Sequence, residues 1–140
     1  MARLLFLVLQ KKVLEMDQLK KILNPKIWLL VVAIGHTLAT ILPVLSDKGL
    51  NLDDTEVEYA VWRVVSMILP MVFIAFTFTK EIQAKLATAI AGPVWVMFVV
   101  WIVVDGFQTL FIPPLVLWGL LALSGVLHGN FQNLLDSDTE

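Results

Sequence analysis

The 140-residue chain contains no cysteine. That excludes disulfides, thiolate-bound zinc, iron–sulfur clusters and thiol catalysis. It is also poor in charge. Only 16% of its residues are Asp, Glu, Lys or Arg, against about 25% in a soluble globular domain. Chemistry-bearing motifs are missing too. There is no phosphate-binding glycine loop, zinc-protease His-Glu pair, serine elbow or EF-hand, and no sustained coiled-coil heptad. Its charged loops are too short to hold a soluble catalytic domain. The formal net charge of −2 gives no electrostatic footprint for nucleic acid.

What is present is apolar sequence. Hydrophobic residues make up 59% of the chain and the mean hydropathy is +0.85. Four long runs carry most of it: 27–45, 59–79, 86–104 and 110–128. Each is near the 17–25 residues that a helix needs to cross a hydrocarbon layer of about 30 Å. A membrane β-barrel would need many alternating segments of about ten residues. The fold class expected is therefore all-α: one polytopic membrane domain, a compact four-transmembrane-helix bundle. A helix over 1–24 precedes it and a tail over 129–140 follows.

Local signals mark the ends. Asn24 and Pro25 form a cap and first turn for the first span. Thr55 and Glu58 fit a capping box that starts the second helix in solvent. Asp105-Gly106 is a turn between the third and fourth spans, with Gln108 and Thr109 leading into the fourth. Pro113 and Pro114 fall in a first turn, where a missing amide costs little. Pro70 lies nearest mid-helix and is expected to kink the second span, with Ser66 or a neighbouring helix's hydroxyl serving the freed carbonyl.

Basic residues concentrate before the first span (Arg3, Lys11, Lys12, Lys20, Lys21, Lys26) and around 80–85 (Lys80, Lys85). Acidic residues fill 46–58, where Lys48 is the sole base. Positive-inside bias then predicts both termini in the cytoplasm. Within 1–24, Leu9, Val13, Met16, Leu19 and Leu23 form a helical stripe flanked by Lys12, Glu15, Gln18 and Lys21. Such an amphipathic helix either lies on the lipid interface or packs on the protein's own cytoplasmic face or a neighbouring subunit. It also has a third option, extending the first span past a kink at Pro25.

Polar residues inside the runs are the candidate carriers of function, because each is costly in hydrocarbon. His36 lies halfway along the first span, with Thr37 and Thr40 close by on the helix. Arg63 lies one turn inside the second span, with Ser66 on its face, and either snorkels to the interface or pairs with Asp105 at the end of the third. Trp95 and Trp118 sit deep, whereas Trp28 and Trp62 fit the interfacial belts. Glu56, Glu58 and Tyr59 border the same outer region. His36, Thr40, Arg63, Ser66, Trp95 and Asp105 are thus the ligand-binding or pore candidates. Gly119, Ser124 and Gly125 suggest a face for close helix approach. His128 is a helix-end residue. At about 1.5 Å rise per residue it lies some 10–15 Å of depth from His36, too far for one chain to clasp a haem. The two histidines are too few ligands for a metal site unless acids join them.

Four functions fit this pattern. One is a non-catalytic module or accessory subunit of a membrane assembly. A second is an intramembrane pocket around His36 that binds or moves a small hydrophobic or cationic molecule. A third is a homo-oligomeric channel with His36 and Thr40 facing the pore. The last is an enzyme on a lipid-like substrate, with His36 or Asp105 as acid–base. No cofactor or catalytic residue is specified. Partners expected are membrane lipids and a second copy or partner membrane subunit, because four helices enclose little volume.

Overall fold

A computed structural model describes residues 2–131. Among these residues all regular structure is helical. Helix α1 spans Ala2–Ile22. Four further helices are long and apolar enough to cross a membrane: α2 (Pro25–Lys48), α3 (Thr55–Thr77), α4 (Lys80–Asp105) and α5 (Thr109–His128). The expected surface contact of Leu134 and Leu135 and the fraying of Asp136 to Glu140 lie outside the described residues.

Most helix ends follow from local chemistry. Asn24 is in extended conformation and its side chain accepts a hydrogen bond from the Lys26 amide, with Pro25 in the first turn. Gly106 adopts φ +85°, which ends α4. Helix α5 opens with a tight turn over Thr109–Phe111, and Pro113 falls in the first turn of the α-helix behind it.

Two expectations are corrected. The cap of α3 is Asp54, one residue before the Thr55 of the proposed capping box: its carboxylate accepts from the Glu56 amide. An aspartate there also reaches Lys48 across the loop, which Thr55 cannot do. The 80–85 segment is not a loop but the opening of α4, where Lys85 and Glu81 pair at 2.8 Å with i,i+4 spacing. Gly129 caps α5 in right-handed geometry, and positive φ falls on Asn130.

Two spans share an unanticipated feature. In α2, residues Thr37–Ile41 widen into a π turn, and the Leu42 amide reaches back to the Thr37 carbonyl. In α3, Val64–Ile68 do the same, with the Leu69 amide bonding the Val64 carbonyl. Each widened turn stands just before a proline, Pro43 or Pro70. Proline has no amide and its ring crowds the carbonyl four residues back; a π turn accommodates both by shifting the bonding register. Pro93 in α4 has no such turn.

Packing is concentrated at the basic end. Leu29, Val32 and Ala33 of α2, Met71, Ile74 and Ala75 of α3, Ala87 and Ala91 of α4, and Trp118 and Leu121 of α5 form one buried cluster. The most extensive packing is between α4 and α5, and α2 packs on α3, α4 and α5. Small residues permit this. A Cβ on Gly125 would stand 2.5 Å from the Ala84 carbonyl oxygen and against the Thr88 hydroxyl, so the close-approach face read at Gly119, Ser124 and Gly125 is present. Lipid tails are as apolar as these side chains, so the gain comes from tight backbone contact rather than escape from water.

The other end is looser. Residues 37–48 of α2 pack on α3 and not on α4 or α5. Ile41, Val57 and Ala60 form a small buried contact between α2 and α3. From Gly92 to Leu117, no residue of α4 or α5 is buried. The molecule is two helical hairpins, joined at the basic end and separate at the acidic end.

Candidate functional site

His36 stands where the hairpins part, the last residue of α2 before its π turn. It is half-buried, and its ring meets the Trp118 indole nearly at right angles, with 5.9 Å between centroids. Its Nε2 is buried and has no hydrogen-bond partner. Beside it, Leu117 of α5 lies close to Gly35, 3.1 Å from where a Cβ would stand. Among the described residues two buried ring nitrogens in the spans have no hydrogen-bond partner, Nε2 of His128 at the end of α5 and Nε2 of His36 at mid-span.

The other candidates do not join it. The Thr40 hydroxyl donates to the His36 carbonyl at 2.7 Å, and that of Thr37 to the Ala33 carbonyl at 2.7 Å. Ser66 is exposed and donates to the Trp62 carbonyl at 2.6 Å. Its acceptor lies eight residues before Pro70, so Ser66 does not serve the carbonyl that the proline frees, and the π turn makes the accommodation. These hydroxyls are committed to their own helices. Arg63 is exposed beside Trp62, which fits snorkelling to the interface. Asp105 is exposed at the end of α4. Among the described residues neither enters an ion pair. Trp95 is partly exposed, and its indole nitrogen lies over Gly119, 2.9 Å from where a Cβ would stand. That is a packing contact between α4 and α5. Trp118, expected deep alongside Trp95, is the one that is buried.

Three further polar residues act on the backbone, and of these the sequence left only Gln83 unmarked. Gln83 is buried, and its amide donates to the carbonyls of Ala75 at 3.0 Å and Phe78 at 2.8 Å. Those carbonyls end α3 and have no intrahelical partner, so Gln83 closes α3 from the first turn of α4. Ser124 is buried and donates to the Leu121 carbonyl at 2.7 Å. His128 donates through Nδ1 to the Ser124 carbonyl at 2.9 Å. In sequence Gln83, between Lys80 and Lys85, reads as loop. Only the early start of α4 turns it inward.

At the acidic tip Lys48 is the hub. Its Nζ lies 2.9 Å from Asp54 Oδ2 and 3.1 Å from Glu56 Oε2. Glu56, placed by sequence along an outer vestibule, is thereby used to tie α2 to α3. The Lys48 ammonium and the Glu56 amide hold the Asp54 carboxyl below the usual carboxylate range.

A shallow apolar hollow of about 180 Å³ lies between α2 and α3, lined by Ala33, Ile34, Thr37, Leu38, Ile68 and Val72. None of His36, Thr40, Arg63, Ser66, Trp95 and Asp105 lines it. Among the described residues no three His, Asp or Glu side chains are placed to hold a metal. Comparison with protein families, curated proteins and solved structures finds nothing that matches the chain.

Proposed function

We propose that this membrane protein is a non-catalytic module of a larger membrane assembly, with a second copy or another membrane subunit against its spans. The observation that carries this reading is where its intramembrane polar groups go. Gln83, Ser124, Thr37, Thr40, Ser66 and Thr88 all bond to backbone carbonyls of the chain itself. Chemistry needs groups that converge on one substrate position, and among the described residues the Thr40 and Ser66 hydroxyls are bonded within their own helices while Arg63 and Asp105 enter no ion pair. The bundle is left with shape and surface as its working parts. In none of the four spans is more than 22% of the apolar window buried within the chain, and the separate arms offer apolar flanks to another helix.

The test is photo-crosslinking of the full chain in its native membrane, with a benzophenone amino acid at Phe73 of α3 or Val103 of α4, both well exposed. The reading expects a discrete protein adduct at one or both positions. Lipid adducts alone at these and neighbouring positions, with a monomeric mass in lipid discs, overturn it.

The open Nε2 of His36 favours a second reading, a small molecule held where the hairpins part. The ¹⁵N resonance of that nitrogen reports a hydrogen bond directly. A shift between protein extracted with its native lipid and protein stripped of it supports this reading, and an unchanged resonance ends it.

A further inference from the structure

Helix α1 is the part of the chain that the bundle leaves uncovered. Every side chain from Gln10 to Ile22 is exposed, including Val13, Leu14, Met16, Leu19 and Ile22. The alternative that this helix packs on the protein's own cytoplasmic face is therefore not what the fold does. Only its junction is held. Leu23 and Pro25 are buried, and the Trp28 indole donates to the Ile22 carbonyl at 3.0 Å. Two residues separate α1 from a membrane-spanning helix, so its end is fixed at the membrane boundary.

Charge says what meets it there. Lys11, Lys12, Lys20 and Lys21 lie on α1 with Glu15 and Asp17 as the acids among them. Lys26, Lys80 and Lys85 belong to the same end of the bundle, and Lys26 Nζ is held 4.8 Å over the Phe76 ring. Against these seven lysines stand three acids, Glu15, Asp17 and Glu81. The opposite end carries Asp47, Asp53, Asp54, Glu56, Glu58 and Asp105 against Lys48 and Arg63. Apolar side chains without cover, at the level of the headgroups and amid excess lysine, match one surface chemically: a layer of anionic phospholipid.

We propose that α1, with Lys26, Lys80 and Lys85, forms a basic collar that binds anionic phospholipid headgroups while the apolar side chains of α1 enter the interface. Nucleic acid and acidic protein share the charge but offer nothing to Val13, Leu14 and Ile22. The collar is independent of the assembly proposed above, because it concerns a helix outside the bundle.

The absence of cysteine makes a clean test available. The full chain with Leu14→Cys carries a single nitroxide, in lipid discs of one copy each. One set of discs is phosphatidylcholine, the other phosphatidylcholine with a third phosphatidylglycerol. The proposal expects the label to be shielded from a water-soluble nickel relaxant in the anionic discs and less so in the neutral ones. Shielding should weaken as salt rises to about 0.5 M, where the screening length falls to a few ångström. Replacing Lys11, Lys12, Lys20 and Lys21 together by Gln should abolish the difference between the discs. Each lysine contributes about fivefold to partition onto an anionic surface. Equal relaxant access in both lipids overturns the proposal. So does shielding that survives the four substitutions, which would mark a purely apolar contact, and so does shielding that appears only with two copies per disc, which would mark a second chain as the occupant.

Discussion

Replacing one glycine in each of two helices should separate packing from helix propensity. Gly125 of α5 and Gly92 of α4 are both helical. Alanine at either position gains about 0.4–1 kcal/mol by restricting the unfolded chain and favouring helix. At Gly92 a Cβ meets nothing within 4 Å, so that gain stands alone. At Gly125 the Cβ meets the Ala84 carbonyl oxygen at 2.5 Å and the Thr88 amide nitrogen at 2.9 Å. Both are backbone atoms and cannot rotate away. Ordinary contact begins at 3.4 Å, so α5 must retreat from α4 by nearly an ångström. Overpacking of this kind costs about 1–3 kcal/mol, and the retreat loosens the most extensive helix contact in the molecule. Gly92→Ala should therefore hold or raise stability, and Gly125→Ala should lower it, with about 1–3 kcal/mol between them. The assay is reversible unfolding from bicelles by added SDS, followed by circular dichroism and by the emission of buried Trp118. Equal stability of the two variants would refute the reasoning, as would a larger loss at Gly92.

Gln83→Leu should destabilise the bundle by about 1–3 kcal/mol, because the Ala75 and Phe78 carbonyls lose their donor. Gln83→Glu should be worse at neutral pH, since a carboxylate only accepts, and should recover partly in acid, when the protonated group donates once; unfolding from bicelles at two pH values checks both. At the acidic tip, the lowered Asp54 carboxyl implies that its bonds to Lys48 and the Glu56 amide persist at all pH values above the ordinary value near 3.8 and are lost as pH falls through the still lower folded value. The Glu56 amide resonance should titrate in that acid window, and titration at or above the ordinary value would contradict the geometry. Pro70→Ala restores an amide and should relax the π turn at Val64–Ile68 towards α-helix, lengthening the distance between labels at Thr55 and Thr77. An unchanged distance would show that packing, not the proline, holds the turn.

The four spans were legible because hydrocarbon thickness imposes a length and a polarity on any crossing helix, whatever its neighbours. The Asn24–Pro25 start, the Gly106 stop and the place of Pro113 in a first turn were legible for a related reason: each depends on a residue's own backbone and its nearest few neighbours. The capping box at Thr55 failed within that same range, since a stronger local acceptor at Asp54 was also a partner for Lys48. Depth marked His36 as unusual, yet its contact with Trp118 required the packing of α2 on α5. The separation of Arg63 and Asp105, the commitment of Thr40 and Ser66 to their own helices, and the inward turn of Gln83 were tertiary outcomes as well. So was the restriction of the core to one end of the bundle. Composition and periodicity specify which segments enter the membrane, because that is a partition between two solvents. Inside the membrane lipid is as apolar as a neighbouring side chain, so hydropathy ceases to discriminate, and small residues, prolines and stray donors settle which helix faces meet.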